Sequence, residues 1–143
     1  MAQTFKWVAP EALATYFTTE LNSLANVTTS AEGAAIDNET DLFQFINFEV
    51  NLASLTPTAG GFVSVLLLPT YDGTNYATTH VSYLDRIVAT IGLKDGVGAA
   101  RISKENVPIP PLEFKLALYN AAGVALAASG NTLKYRRHNG QAV

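Results

Sequence analysis

Pro108-Ile-Pro-Pro-Leu-Glu-Phe-Lys-Leu-Ala-Leu-Tyr-Asn-Ala-Ala-Gly-Val-Ala-Leu-Ala-Ala-Ser-Gly-Asn-Thr-Leu-Lys-Tyr-Arg-Arg-His-Asn139 is the stretch that decides the fold class. Within it Leu112, Phe114, Leu116 and Leu118 alternate with Glu113, Lys115, Ala117 and Tyr119. A period of two turns one set of side chains to a core and the other away, as in a strand. The prolines at Pro108, Pro110 and Pro111 break any helix ahead of it. Asn120–Gly123 supplies a turn, and Val124–Ala128 and Leu133–Arg137 read as further strands. In the last of these Lys134 and Arg136 share one face, while Leu133, Tyr135 and Arg137 point the other way. Leu112–Tyr119 therefore reads as a core strand, and the basic run as an outward-facing edge strand.

Working back from this stretch, the β signal continues. Ala99–Val107 and Ile87–Leu93 are strand candidates, separated by the turn Lys94–Gly98. Phe62–Leu68 is almost wholly apolar, which predicts a strand covered on both faces. Pro69 ends it, and Asp72-Gly73 marks a turn. Phe43, Phe45, Phe48, Val50 and Leu52 predict a long strand whose parity changes at Ile46-Asn47-Phe48, where a bulge fits. Residues 26–38, rich in small and polar residues, read as a short edge strand between turns, and Thr4–Val8 as another short strand. Leu13, Tyr16, Phe17, Leu21 and Leu24 recur at steps of three and four after Pro10, predicting a short amphipathic helix. Thr15, Thr18 and Thr19 favour the alternative, an extended arm. The whole predicts an all-β, single-domain β-sandwich, jelly-roll-like. Residues 1–30 are its N-terminal arm or short helix, and residues 31–143 its body.

Composition narrows the function classes. There is no cysteine, which excludes thiolate catalysis, Cys-ligated metal and disulfides in this chain. Charged residues are 15% of the total, well under the usual quarter, beside 48% hydrophobic residues. That balance suits subunits that meet neighbours on several sides. Nine acids stand against Lys6 in residues 1–85, and eight bases against Asp95, Glu105 and Glu113 in residues 86–143. Such halves complement each other within one fold or between head-to-tail subunits. With a net charge of −3 and no dense basic field, direct nucleic-acid binding is not expected. Met1–Trp7 lacks the basic segment and apolar run of a secretory leader, and no segment reaches the length of a membrane span.

Little in the sequence reads as chemistry. His80 and His138 belong to no metal-ligand pattern, and a His80, Asp85, Ser82 triad has nothing to orient it. Asp37-Asn38-Glu39-Thr40-Asp41 places oxygens at alternate positions as a calcium loop would, yet reads better as a solvated turn. The same holds for Asp72-Gly73-Thr74-Asn75. Gly96-Val97-Gly98 lacks the context of a dinucleotide fingerprint. No cofactor, metal or enzymatic activity is expected. Tyr71, Tyr76 and Tyr83 gather near one loop, as aromatics do at protein interfaces or where sugar rings stack. With them Trp7, Lys134 and Arg136 are the candidate partner-docking residues, the last two facing an acidic partner surface.

Glu20–Ala25, Ala35–Asn38, Leu67–Pro69 with Tyr71–Tyr76, and above all Gly123–Leu133 resemble a family of small virion structural proteins of tailed bacteriophages. The pieces span nearly the whole chain. The resemblance implies a non-enzymatic particle component, with no catalytic residues to carry over. Size, β content and a separable start favour a capsid decoration or cement protein bound to the major capsid protein or other virion proteins. Such a protein would be a homo-oligomer within the particle, at the virion surface after assembly in the host cytoplasm, with no membrane contact. A tail or fibre component, or a host-glycan-binding sandwich, is the alternative.

Overall fold

The structure, a computed structural model, describes residues 4–79, 86–96 and 98–142. It is all-β, with sheets packed as a sandwich. The strands are β1 (Phe5–Trp7), β2 (Ala14–Phe17), β3 (Thr28–Thr29), β4 (Phe45–Leu55) and β5 (Phe62–Pro69), then β6 (Ile87–Gly92), β7 (Gly98–Pro108), β8 (Phe114–Ala121), β9 (Thr132–His138) and β10 (Gly140–Ala142). One sheet runs β2-β9-β4-β7 and the other β3-β8-β5-β6, while β1 and β10 form a two-stranded ribbon.

All pairings are antiparallel, and most are nested. Phe5 faces Ala142, Thr28 faces Asn120, Phe45 faces Pro108 and Phe62 faces Gly92. As one partner advances along the chain the other retreats nearly in step. The chain is thus one long hairpin of strand pairs, β1 with β10 inward to β5 with β6. Alternate pairs of the body go to alternate sheets, and β9–β4 and β8–β5 contacts join the pairs side by side.

The core lies between the sheets. Ile46, Phe48, Val50 and Leu52 of β4 and Phe17 and Leu133 beside them meet Val63, Val65 and Leu67 of β5 and Phe114, Leu116 and Leu118 of β8. Every second residue of these strands faces inward, so the alternation of Leu112–Tyr119 is that of a core strand. The apolar run of β5 is covered on both faces. Its outward Leu66 and Leu68 form a second buried cluster with Ala117 and Tyr119, against which Ala77 and Ile87 pack.

Several expectations are corrected. After Pro10 the chain is extended and not an amphipathic helix: it forms β2, followed by a single 3-10 turn at Thr19–Leu21. The apolar stripe arises because Phe17 and Leu21 enter the core from two different elements, and β9 offers a partner strand to the threonine-rich segment. Val124–Ala128 is irregular chain with Leu126 buried, its backbone bonded to Leu24 and to the Asn120 amide. The run Leu133–Arg137 is no edge: β9 lies between β2 and β4. The bulge near Ile46-Asn47-Phe48 exists, but the extra residue is on β7, where Asn106 adopts φ 56°. β4 itself keeps one parity from Ile46 to Leu52.

β3 is only two residues long, yet the flank of β8 is not left bare. Ser30 N–H donates to the Leu118 carbonyl, and Leu118 N–H donates to the Ser30 hydroxyl at 3.0 Å. Further along, Leu116 N–H donates to the Tyr16 hydroxyl at 2.9 Å, and that hydroxyl donates to the Ala34 carbonyl at 2.6 Å. Tyr16 belongs to β2, so its side chain reaches from one sheet to complete the ladder of the other. Burial pushes its hydroxyl up to about 12. Its ring lies over Gly33, where any Cβ would collide with it. Tyr16→Phe keeps the ring and deprives Leu116 N–H of its acceptor. Loss of about 1–3 kcal/mol is expected, read as a lower urea midpoint at unchanged m value. An unaltered midpoint would show that the hydroxyl contributes nothing.

Candidate functional site

Beyond the pair Phe45–His138 the four-stranded sheet ends, but β9 continues through Asn139 into β10. Residues 5–17 follow it on one side. Val8 N–H donates to the Asn139 carbonyl at 2.9 Å and Glu11 N–H to the Arg137 carbonyl at 3.0 Å. On the other side Gln44 is the last tie, its N–H donating to Asn139 Oδ1 at 2.7 Å and its Oε1 accepting from Gly140 N–H at 3.1 Å. The ribbon β1–β10 thus extends past the sheet. A ribbon this short is marginal by itself, and aromatic packing supports it. Trp7 stands edge-on to Phe5 at 5.4 Å, Phe45 at 5.6 Å and His138 at 5.1 Å, and Phe45 stacks on His138 at 5.5 Å. The Phe5 ring lies where a side chain on Gly140 would have to go. Phe5 is nevertheless 61% exposed and Trp7 53%.

The outer face of the β2-β9-β4-β7 sheet adjoins this ribbon. Lys134 and Arg136 point outward from β9, opposite Glu49 and Asn47 of β4. Arg101 of β7 bonds Glu49 at 2.8 Å, and Lys134 stands 4.0 Å from the same carboxylate. The Arg101 hydrogen bond holds the Glu49 carboxyl below its ordinary range. Arg136 is exposed and makes no ion pair among the described residues. It borders a cleft of 370 Å³ shared with Leu13, Asn47, Glu49, Ser103 and Glu105. A hollow of 210 Å³ beside Trp7, Val8, Pro10, Asn106 and His138 also touches Asn47, so the two adjoin. Asn106, the bulge residue, donates its N–H to Asn47 Oδ1 at 2.8 Å and places its own Oδ1 3.0 Å from His138 Nε2.

Arg137 points the opposite way and is 7% exposed. Its guanidinium donates to both oxygens of Glu11 at 2.8 and 2.9 Å, to Asp41 Oδ2 at 2.8 Å and to the Asp37 carbonyl, and lies over the Phe43 ring. One buried cation thereby joins β9, the strand-flanking segment before β2 and the turn before β4. With Glu32–Lys115, every ion pair among the described residues joins an acid from the first half to a base from the second. Complementarity between the halves is met inside the fold, because nested pairing lays one half along the other.

The remaining candidates separate. Trp7, Lys134 and Arg136 share one side of the sandwich, whereas Tyr71 and Tyr76 belong to the loop after β5 in the other sheet. Tyr71 is 83% exposed. The Tyr76 hydroxyl donates to the Glu113 carboxylate, which pushes its pKa up to about 12, and Lys115 Nζ sits 4.1 Å from its ring centroid. Asp72 is a turn organiser, accepting from Thr74 N–H, Asn75 N–H, the Asn75 amide and the Thr70 hydroxyl. Those bonds, first that of Asn75 N–H, hold its carboxyl far below the ordinary value. Residues 37–41 likewise form a turn: Asp37 accepts from Thr40 N–H, and fully buried Asn38 bonds the backbone of Phe43 and Pro110. Among the described residues no three His, Asp or Glu side chains gather as metal ligands, and no helix is long and apolar enough to cross a membrane. His80, Ser82, Tyr83 and Asp85 lie outside the described residues, as does Val97 of the Gly96–Gly98 turn.

No protein-family model matches the chain, and no curated protein matches it either. The site is accordingly defined by its own geometry. Phe45, Asn47, Asn106 and His138 belong to it; from sequence Phe45 and Asn47 were only strand and bulge residues, His138 was set aside as a histidine in no metal-ligand pattern, and Asn106 was not noticed. Their proximity depends on β9, β4 and β7 lying side by side, which no local spacing encodes. The side chain that holds this end together is Arg137. Arg137→Ala is expected to destabilise the protein by about 1.5–3 kcal/mol. Glu11 and Asp41 reach solvent and rehydrate, which keeps the loss below that of a fully buried pair. Equilibrium unfolding measures it, and a loss under half a kcal/mol would demote Arg137 to a surface pair.

Proposed function

We propose that this protein is a non-enzymatic structural subunit of a tailed-bacteriophage particle, decorating or cementing the capsid. The observation that carries the reading is the terminal ribbon. It extends beyond the sheet and exposes Phe5 and Trp7 on a molecule that satisfies most of its other charges and aromatics internally. Large aromatic side chains with a rigid backing are what interface anchors are made of. Arg136, without an ion pair among the described residues, would supply a polar contact at the rim. Attachment is mechanical: apolar area leaves water at the ribbon, and many symmetric copies turn weak contacts into a stable shell.

The fold supports the same reading. Numbered one to eight along the chain, the body strands run 1-8-3-6 in one sheet and 2-7-4-5 in the other, with one nested on eight and four on five. We read this order as that of a jelly roll, an architecture that viral capsid domains share with lectins and cupins. A saccharide-binding role would rest on Tyr71, because the Tyr76 ring and hydroxyl are already engaged by Lys115 and Glu113. A tail or fibre-base position would draw on the same ribbon, and a particle density map separates it from the capsid.

Purified particles are expected to contain the chain in copies stoichiometric with a shell protein, and heads stripped of it should rebind it. Its absence from the particle proteome would sink the proposal. The double variant Phe5→Ser, Trp7→Ser is expected to weaken rebinding by at least about tenfold without lowering the urea midpoint of the body. Arg136→Glu should lower the salt concentration at which the protein leaves the particle. Unchanged release would put Arg136 outside the contact.

A further inference from the structure

We propose that His138 is a protonation latch for the terminal ribbon: neutral, it holds β1 and β10 against the sheet through Trp7 and Phe45, and charged, it lets them go. The inference stands on the ribbon's own geometry and does not need any particular docking partner.

His138 is the last residue of β9 and only 5% exposed. Its ring is stacked on Phe45 and met edge-on by Trp7, so it is the piece to which the ribbon is packed. Asn106 Oδ1 faces Nε2 at 3.0 Å. An acceptor there fixes the proton on Nε2 and leaves the lone pair on Nδ1. Nδ1 is buried and has no hydrogen-bond partner. A bare lone pair in that position is tolerable. A second N–H would be worse, because it would be a charged donor with nothing to receive it.

The surroundings point the same way. The charged groups on the packed elements are Lys134, Arg136 and Arg137 on β9, Glu49 on β4, Arg101, Lys104 and Glu105 on β7 and Lys6 on β1, with Glu11 on the segment leading to β2. Arg137 and Glu11 satisfy each other, and Glu49 is taken by Arg101 and Lys134. Glu105 accepts from the Ser103 hydroxyl. The charge that acts on His138 is Arg136, which repels an imidazolium. Burial first, and Arg136 second, lower the His138 pKa from its ordinary value of 6.5. The ring faces of Phe45 and Trp7 would welcome a cation, but they do not reverse that balance.

A base whose pKa is depressed in the closed ribbon and ordinary in the open one favours closure at high pH. The stabilisation is complete above 6.5 and falls as the pH drops from there to the lower value of the closed state. Opening exposes the imidazole to water and frees Trp7 with Phe5, while β2 to β9 keep their own ladders. Of the side chains in this chain, only histidines ordinarily titrate between pH 5 and 8. A response centred below 6.5 therefore comes from His138 or His80, because an α-amino group titrates higher, and His80→Gln controls for the second.

Two readouts on the intact protein test the latch. The His138 ring resonances, followed by NMR, should titrate below 6.5. Protection of the Val8 amide, which bonds the Asn139 carbonyl across the ribbon, should fall by up to about tenfold per pH unit below that point once intrinsic exchange is corrected. Amides of β5 and β8 should keep their protection. His138→Phe retains the aromatic stack and should abolish the pH response of Val8. Where that variant fails to form the ribbon at pH 8, Asn106→Asp decides, because a carboxylate facing Nε2 should raise the imidazole titration and keep Val8 protected at lower pH. Ring titration at or above 6.5, pH-independent Val8 protection in the wild type, or an unshifted response in Asn106→Asp would each overturn the latch.

Discussion

Nested antiparallel pairing is the constraint on which the rest of this structure depends. Each strand of the first half is laid along one from the second, and the pair is then rolled so that neighbouring pairs occupy opposite sheets. This arrangement brings the acids of the first half against the bases of the second without a separate device. It also determines which end of the sandwich is crowded. The starts of β4 and β8 and the ends of β5, β7 and β9 meet there, and Arg137, Asn38 and Gln44 bond the intervening turns to the sheets. At the same place the outermost pair runs on as a ribbon.

Side chains replace backbone at several points where the ladders are interrupted. Tyr16 and Ser30 serve β8 beside its two-residue neighbour, Asn47 receives the N–H freed by the Asn106 bulge, and Gln44 caps the end of the β9–β4 ladder. For buried Ser30 and partly buried Tyr16 the cost of burial is offset by the bonds they make. Beside β8 these bonds leave few bare backbone groups to pair with strangers, while β6 and β7 remain sheet edges.

Legibility in the sequence followed the physics of each element. Phe62–Leu68 and Leu112–Tyr119 were plain because an unbroken apolar run and a period of two are both strand signals, although Ala117 and Tyr119 are buried on the second face as well. The helix expected after Pro10 was wrong for a non-local reason. Phe17 and Leu21 sit four apart, as on one helical face, yet a strand and a 3-10 turn deliver them to the same core. Val124–Ala128 has the apolar content of a strand but is held by the Asn120 amide and Leu24 instead of by a ladder. Arg136 was legible by parity as sharing an outward face with Lys134, whereas Trp7 was only a docking candidate in a short strand. His138 and Asn106 were not legible, since what matters about them is a 3.0 Å contact between residues on strands that only the full topology makes second neighbours.

Because Phe5 faces Ala142, the chain enters and leaves the fold side by side at a single point. Anything joined to either end is therefore presented at the tip of the ribbon, next to Trp7. A purification tag or fused reporter would crowd the surface that exposes the aromatic pair, whichever terminus carried it. The turn Pro57–Gly61, at the opposite end of the sandwich, is the place from which a label would leave that tip untouched. Phe5 and Ala142 are also near enough for a short linker to join them. New termini opened in a distant turn would then leave the ribbon as an internal hairpin, held by its own connection as well as by its aromatic packing.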